Sequence, residues 1–290
     1  MPKSLPYLGI AGALIAGTLM AAAGGSRGVE VLGLPAFAVV VAAAFAVQWI
    51  AFIPAWFRQT ERFFDLTGSI TFLVLTAGAL LIRGGFDPRS LVIAAAIAVW
   101  ALRLGPFLFL RVRRDGEDRR FRQIKPDFPV FLMTWTLQGL WVSLTAAPAL
   151  AALLASESTP PDWTLAAGLA LWTLGFLLEV TADAQKTRFR AVPENRDRYI
   201  TSGLWAWSRH PNYFGEIVLW VGIAVIAAPT LEAWQLATLV SPVFVWLLLT
   251  RISGVRMLEA RANRKWRNDP GYRDYIRRTN MLLPLPPRRT

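Results

Sequence analysis

Residues 31–55 read VLGLPAFAVVVAAAFAVQWIAFIPA, and this stretch contains no Asp, Glu, Lys or Arg. About 20 consecutive apolar residues are enough for an α-helix to cross the hydrocarbon core of a bilayer. A strand would leave backbone hydrogen-bonding groups unsatisfied in lipid unless it closed into a barrel. The stretch therefore predicts a membrane-spanning helix.

Apolar segments of this kind recur along the whole 290-residue chain. Hydrophobic residues make up 54% of the sequence and charged residues 17%, which is more apolar surface than a soluble fold of this size could bury. We predict an all-α, polytopic membrane helix bundle of about eight spans that form one integral-membrane domain over 1–290. The predicted spans lie at about 4–24, 31–55, 67–83, 88–110, 129–155, 163–181, 213–229 and 231–250.

Basic residues are concentrated in a few segments. The chain has 31 Lys and Arg against 19 Asp and Glu, a formal net charge of +12. They cluster in residues 111–125, in residues 186–209 and after the last span, whereas residues 156–162 contain none. Cytoplasmic loops are enriched in Lys and Arg, so we predict that the basic segments and both termini are cytoplasmic. Three arginines fall on the opposite side in this topology: Arg27, Arg83 and Arg89.

Composition also limits the chemistry and the partners. The chain has no cysteine and one histidine, His210, which excludes disulfides, thiolate metal sites and multi-histidine metal sites. The arginines are divided among membrane loops rather than gathered in one groove, so no nucleic-acid partner is expected. Membrane lipids are expected partners. The lysine-poor, arginine- and alanine-rich usage favours a GC-rich bacterium and therefore a bacterial cytoplasmic membrane.

A dense polar stretch follows the sixth predicted span. Glu179 and Asp183 are four residues apart and share one helix face, which Lys186 and Arg190 continue. Such a stripe fits either a binding site or a solvated helix end at the membrane surface. Both interpretations stay open on the residues alone.

The segment Arg209-His210-Pro211-Asn212-Tyr213 predicts a helix start, with Pro in the first turn. Free N–H groups at a helix N-terminus can bind an anion. Gly215 would let a ligand approach, and Glu216 places an ionisable group inside an apolar span, where such residues are usually functional. The alternatives are that His210 is a capping residue and that Glu216 pairs with an arginine.

The segment GLWAWSRHPNYFGE at residues 203–216 resembles the bacterial relatives of steroid 5-alpha-reductases. The resemblance extends over about residues 90–285, which would form a reductase-like core behind the N-terminal spans in 1–85. It implies NADPH-dependent reduction of a carbon–carbon double bond conjugated to a carbonyl, in a lipophilic, steroid-like or isoprenoid-like substrate. Further matching motifs are LQG at 137–139, SG at 253–254, LE at 258–259 and YRDY at 272–275.

The resemblance also implies which residues bind NADPH. Arginine forks suit the phosphates, and carboxylates with Asn suit the ribose hydroxyls and the carboxamide. The implied phosphate partners include Arg114 and Arg278. The full implied set is Arg114, Asp183, Arg190, Arg198, Arg209, His210, Asn212, Tyr213, Glu216, Trp220, Tyr275 and Arg278.

The catalytic positions depart from the family pattern. In the steroid reductases a Gln-Glu pair and a Tyr polarise the substrate carbonyl, and here Trp100 stands at the tyrosine position and Asp65 near the acidic one. A tryptophan can donate one N–H but cannot supply a proton. Either Asp65 together with Trp100 polarises the substrate carbonyl, or another group such as Tyr213 polarises it. The alternative for Asp65 is a helix N-cap.

Two rival functions remain open on the sequence alone. Isoprenylcysteine and phospholipid methyltransferases have a similar Arg-His-Pro turn but use S-adenosylmethionine. They usually have Ser after the Pro and lack the following acid, so Asn212 and Glu216 favour a reductase. The second rival is a non-enzymatic lipid-binding bundle whose basic loops hold headgroups. Nicotinamide absorbance retained by the purified chain would separate the three.

Overall fold

The computed structural model describes residues 4–288, and nearly all of the regular structure in that range is helical. Eight of the described helical segments are long and apolar enough to cross a membrane, which confirms the predicted polytopic helix bundle. The chain is a multi-pass integral membrane protein. The eight spans are Leu5–Gly24, Ala36–Phe57, Phe64–Arg83, Pro88–Asp115, Phe128–Leu153, Trp163–Ala191, Pro211–Thr230 and Ala233–Trp266.

The first seven spans correspond to helices that we number in order. They are α1 (Leu5–Gly24), α2 (Ala36–Phe57), α3 (Phe64–Arg83), α4 (Pro88–Asp115), α5 (Phe128–Leu153), α6 (Trp163–Ala191) and α7 (Pro211–Ala227). The eighth span contains a 3₁₀ segment (Ala233–Val240), α8 (Ser241–Leu247), a π-helical turn (Leu248–Ile252) and α9 (Val255–Trp266), and α10 (Pro270–Arg278) follows it.

Local chemistry determines where these helices begin and end. Residues 31–35 lie outside α2, because Glu30–Val31 (β1) and Leu34–Pro35 (β2) pair as a small antiparallel hairpin. Gly84, with a φ of 71°, ends α3 in the left-handed conformation that favours glycine. Asp87 begins α4 by accepting a hydrogen bond from the Ser90 backbone N–H. Helix α6 continues to Ala191, about ten residues beyond its predicted end, so the polar stripe is helical.

By its internal contacts the chain divides into two compact units, and each is described by itself. Unit 1 contains the chain up to Leu165 together with Ile223–Ser241. Unit 2 contains Ala166–Gly222 together with the chain from Pro242 onward. The single domain over 1–290, with its division into 1–85 and 90–285, stays a prediction.

Buried polar side chains join the helices of unit 1. The Gln48 amide on α2 donates to the Thr71 hydroxyl on α3 at 2.8 Å, and the Gln138 amide on α5 donates to the Phe64 carbonyl at 2.8 Å. Both glutamines are buried. Since lipid offers no hydrogen-bonding partners, these bonds hold α2 and α5 against α3.

Arg89 is 2% exposed and forms a buried clamp at the start of α4. Its guanidinium donates to the Ile226 carbonyl at 2.7 Å, and also to the carbonyl of Pro160, the hydroxyl of Thr164 and the carboxylate of Asp162. Arg83 likewise pairs with an acid, Asp87. Two of the three arginines that the predicted topology leaves on the outer side are therefore neutralised by nearby carboxylates.

In unit 2, α6 and α7 pack through glycines spaced seven residues apart. A Cβ added to Gly175 would lie 2.5 Å from the Gly215 carbonyl oxygen, and one added to Gly222 would lie 2.6 Å from the Gly168 carbonyl oxygen. Small residues at such positions let membrane helices approach closely. This glycine seam holds the beginning of α7 against the second half of α6.

The orientation in the membrane can be tested by labelling introduced cysteines, because the sequence has none of its own. Single cysteines in residues 113–125 and 191–202 are expected to react from the cytoplasmic side, since these loops are rich in arginine. Cysteines in residues 156–161 are expected to react from outside. Reaction of residues 58–62 from outside alone would contradict the predicted topology and remove Asp65 from the cytoplasmic side.

Candidate active site

The Arg-His turn, residues 208–211, leads into α7 and is held by the C-terminal tail. The Ser208 hydroxyl donates to the Leu282 carbonyl at 2.7 Å and accepts from the His210 backbone N–H at 3.1 Å. The Arg209 backbone N–H donates to the Asn280 carbonyl at 2.9 Å. Pro211 begins α7, as predicted, because its fixed φ suits the first helical position.

Glu259 on α9 binds both side chains of the Arg-His turn. Its Oε2 lies 2.6 Å from Arg209 Nη1, and its Oε1 lies 2.8 Å from His210 Nε2. Burial lowers the pKa of His210 below its ordinary value, although Glu259 acts to raise it. The sequence indicated Glu259 as part of a matching motif but gave it no role, because its partners lie far away along the chain.

Asp183 and Asn212 also meet in unit 2. The Asn212 amide donates to Asp183 Oδ1 at 3.2 Å, which joins α6 to the first turn of α7. Asp183 is 8% exposed and Glu179 is 3% exposed. The alternative of a solvated helix end is therefore wrong for these two acids. Glu216 lies one turn after Asn212 on the same face of α7 and is half-buried.

Gly215 does not provide room for a ligand. A Cβ at this position would lie 2.5 Å from the Gly175 carbonyl oxygen and 2.7 Å from the Glu179 backbone nitrogen. The prediction that a ligand approaches there is wrong, because the missing side chain serves the contact with α6. The close contact instead brings the polar first turns of α7 against Glu179 and Asp183.

The loop before the Arg-His turn is fixed by its own contacts. Gly203 has a φ of 62°, and the next backbone N–H, that of Leu204, donates to Gln185 Oε1 at 2.9 Å. The Trp205 indole donates to the Ala182 carbonyl at 3.1 Å, and Lys186 Nζ lies 4.7 Å from the Trp205 ring centroid. These contacts anchor the loop on the second half of α6.

Tyr275 on α10 supports the same loop. Its hydroxyl donates to the Trp205 carbonyl at 2.7 Å, and burial raises the pKa of its phenol above the ordinary value. The phenol therefore stays neutral and keeps its proton for this bond. Tyr275, which the sequence predicted to bind the cofactor, thus holds the loop in position.

An open cleft of about 570 Å³ lies beside Tyr275 within unit 2. Arg198 is exposed at its edge, and Arg278 contacts Asp274 Oδ2 at 3.3 Å and the Arg288 carbonyl at 3.2 Å. The Tyr199 ring stacks on Tyr275 with centroids 5.8 Å apart. The cleft is lined by Arg198, Tyr199, Thr201, Ala206, Asp269, Gly271, Asp274, Tyr275, Arg278, Thr279 and Pro287.

The remaining predicted residues of unit 2 lie on α6 and α7. The Tyr213 ring stacks in parallel on the His210 ring, with centroids 5.7 Å apart. Trp220 is 1% exposed in the middle of α7, and Arg190 is exposed near the end of α6. Unit 2 therefore brings Asn212 to Asp183 and Tyr213 to His210, whereas Arg190 and Trp220 lie about two helical turns further along α6 and α7.

Three predicted residues belong to unit 1. Asp65 lies in the first turn of α3, with its carboxylate 3.8 Å from the Arg111 guanidinium. The N-cap of α3 is Phe63, so the alternative of Asp65 as the N-cap is wrong. Trp100 on α4 packs edge-to-face on Phe72. Phe72 lies on α3, two helical turns after Asp65. The third residue, Arg114, is exposed at the end of α4.

Comparison with known proteins identifies the family. The profile of a family described as protein of unknown function (DUF1295) matches residues 51–279. Because this match covers most of the chain, the protein belongs to that family. An uncharacterized protein of Schizosaccharomyces pombe is 28% identical over 229 residues, which are 68% of this chain and 63% of the relative.

The chain is also similar to steroid-metabolising proteins. The 3-oxo-5-alpha-steroid 4-dehydrogenase 1 of Rattus norvegicus is 26% identical over 167 residues, 56% of this chain and 59% of the relative. That of Bos taurus is 27% identical over 118 residues, 41% of this chain and 40% of the relative. The chain thus spans less than two thirds of each of these relatives. The resemblance predicted from the sequence is confirmed as a distant similarity. No solved structure matches the chain.

Proposed function

We propose that the protein is a membrane-embedded reductase that uses NADPH to reduce a double bond conjugated to a carbonyl in a lipophilic, steroid-like or isoprenoid-like substrate. The similarity to 3-oxo-5-alpha-steroid 4-dehydrogenases supports an oxidoreductase. The structural observation that carries the proposal is the hydrogen bond between the buried Asp183 carboxylate and the half-buried Asn212 amide, directly after the Arg-His turn. Buried polar groups inside membrane spans are costly and usually functional.

The donor set in unit 2 fits a dinucleotide phosphate. Guanidinium groups bind phosphates through two parallel hydrogen bonds, and the cleft carries Arg198 and Arg278. Its volume of about 570 Å³ lies within the range of small-molecule sites, roughly 300–1,000 Å³. Asp269 also lines the cleft. Its carboxylate accepts a hydrogen bond from the Gly271 backbone N–H and so caps the start of α10.

Different residues of this chain would bind different parts of the cofactor. Arg198, Arg278 and, from the end of α6, Arg190 would hold phosphates, whereas Arg114 on α4 of unit 1 stays a separate prediction. Asp183, Asn212 and Glu216 would accept from ribose hydroxyls and orient the carboxamide. Bound NADPH would supply the hydride. The apolar surfaces of α6 and α7 would exclude water from the reacting carbon, which keeps the local dielectric low.

The substrate oxygen needs a polarising group, and two side chains are proposed for it. The Asp65 carboxyl stands at the head of α3 beside Arg111, and the Tyr213 hydroxyl stands in the first turn of α7. Tyr213 can both donate a hydrogen bond and supply a proton. Trp100 packs on Phe72, which lies two helical turns along α3 from Asp65, so we do not assign one oxygen to both side chains.

Glu216→Ala is expected to weaken NADPH binding by about 1.5–3 kcal/mol, the usual value of a hydrogen bond to a charged group. The measurement is the change in nicotinamide fluorescence of the detergent-purified protein during titration. Glu157→Ala is the matched control, because Glu157 is exposed in the loop between α5 and α6. Unchanged affinity in a folded Glu216→Ala protein would remove Glu216 from the cofactor site.

The same titration tests the cofactor. The arginine excess predicts that NADPH binds at least about tenfold more tightly than NADH, because one charge-assisted hydrogen bond to the 2′-phosphate contributes that much. Arg198→Ala and Arg278→Ala are expected to reduce the preference. Equal affinities for the two nucleotides, or binding of S-adenosylmethionine alone, would contradict the proposed reductase.

A further inference from the structure

Helix α9 organises the Arg-His turn from one side. Glu259 reaches both Arg209 and His210 with its two carboxylate oxygens. Gly254, the N-cap residue of α9, packs so closely on Tyr213 that an added Cβ would lie 2.9 Å from the Tyr213 ring. The side chains of the pair are mostly buried, with Arg209 17% exposed and His210 7% exposed. A single helix thus contacts three residues of the proposed cofactor site.

We propose that Glu259 is a positioning residue, which fixes His210 as the tautomer protonated at Nε2 and holds the Arg209 guanidinium in place for the ligand. The part of this proposal that concerns the ligand rests on the proposed function. The part that concerns His210 rests on the contacts of this chain alone.

The tautomer follows from the donors and acceptors present. An ionised carboxylate can only accept hydrogen bonds, so the contact between Glu259 Oε1 and His210 Nε2 requires a proton on Nε2. Burial lowers the pKa of His210, and the cations Lys186 and Arg209 add to this, so that together they outweigh the opposing effect of Glu259. His210 is therefore neutral, and its Nδ1 is left as an acceptor. One face of the imidazole ring stacks on the Tyr213 ring.

Arg209 has donor capacity that the protein leaves unused. Its Nη1 binds Glu259, whereas its Nε is buried and has no hydrogen-bond partner among residues 4–288. A buried donor without an acceptor costs free energy unless a ligand or water binds it. The Arg-His turn thus offers one N–H donor and one imidazole acceptor. This combination matches a ligand hydroxyl or carboxamide, which carries both a donor and an acceptor.

The single histidine of the chain makes the test direct. Selective ¹⁵N-histidine labelling gives the imidazole signals of His210 alone, in detergent or nanodiscs. The wild-type protein is expected to show the Nε2-protonated tautomer at neutral pH. In Glu259→Gln the side-chain amide can both donate and accept, so both tautomers are expected to appear. The same variant is expected to bind NADPH about tenfold more weakly, as for one hydrogen bond to a charged group.

Asp197→Asn is the matched control, because Asp197 forms an exposed ion pair with Lys265 in the same unit. It is expected to leave both the tautomer and the NADPH affinity unchanged. A wild-type spectrum of the Nδ1-protonated tautomer would overturn the proposal even if every variant failed to fold. A single Nε2-protonated tautomer in folded Glu259→Gln would overturn it as well. If wild-type protein does not bind NADPH, the proposed function is overturned. If both tautomers of His210 nevertheless appear in Glu259→Gln, the positioning of His210 by Glu259 is supported.

Discussion

Replacing Arg89 by methionine is expected to lower the free energy of unfolding by about 3 kcal/mol, because it leaves several buried groups without their partner. The carbonyls of Ile226 and Pro160 and the hydroxyl of Thr164 would all lose a donor. Methionine has a similar length and restores the packing but no hydrogen bond. The measurement is denaturant-induced unfolding of the purified protein, followed by tryptophan fluorescence.

Arg27→Met is the control for this prediction. Arg27 is exposed and lies on the same predicted side of the membrane, so its replacement should change stability by less than about 0.5 kcal/mol. Equal stabilities of the two variants would show that the Arg89 contacts contribute nothing.

The Arg89 clamp also has an expected pH dependence. The hydroxyl of Thr164 and the guanidinium of Arg89 lower the pKa of Asp162 from 3.8 to about 2. A carboxylate with a lowered pKa in the folded state stabilises the fold above its unfolded pKa, and this contribution is lost as the pH falls through the folded pKa. The difference between Arg89→Met and wild type is therefore expected to be constant above about pH 5 and to shrink below about pH 4.

The membrane fold could be predicted from the sequence because lipid leaves the chain few choices. An apolar run such as residues 36–57 must be helical where no water can satisfy its backbone, so composition and run length are sufficient. The end of α6 was harder to predict. The hydropathy of the sequence falls at Glu179 and Asp183, yet the helix continues to Ala191. Polar residues can continue a helix when that helix is packed against a second helix.

The partners of the polar residues could not be predicted, because side-chain contacts join positions far apart along the chain. Glu259 binds Arg209 and His210 across about fifty residues, and Arg89 binds Ile226 across 137. Neither spacing has a periodic signature. For Gly215 the sequence allowed two interpretations. A glycine beside polar residues fits both a ligand approach and a helix contact, and only the position of Gly175 distinguishes them.

Replacing Gly215 by alanine is expected to cost about 3 kcal/mol of stability and to weaken NADPH binding. The added Cβ would lie 2.5 Å from the Gly175 carbonyl oxygen and 3.1 Å from the Glu179 Cα, and both are backbone atoms of α6. Backbone cannot rotate away as a side chain can, so the two helices must separate, and overpacking of this kind typically costs about 1–3 kcal/mol or more. Separation would also lengthen the bond between Asn212 and Asp183.

Gly78→Ala is the control, since a Cβ at Gly78 of α3 would meet nothing within 4 Å. Alanine there is expected to be neutral or to stabilise by up to about 1 kcal/mol, because glycine is the poorer helix former. Stability of Gly215→Ala equal to that of Gly78→Ala would contradict the glycine seam.

A double-mutant cycle decides whether Gly175 and Gly215 form one contact. Gly175→Ala adds a Cβ that would lie 2.5 Å from the Gly215 carbonyl oxygen, so either alanine alone forces the same separation of α6 and α7. Once the helices have separated, the second alanine enters a gap that is already open. The loss in the double variant should therefore be smaller than the sum of the two single losses by about 1 kcal/mol or more. Additive losses would mean that the two glycines act at independent sites, and Asp183 and Asn212 would then be held together by some other part of unit 2.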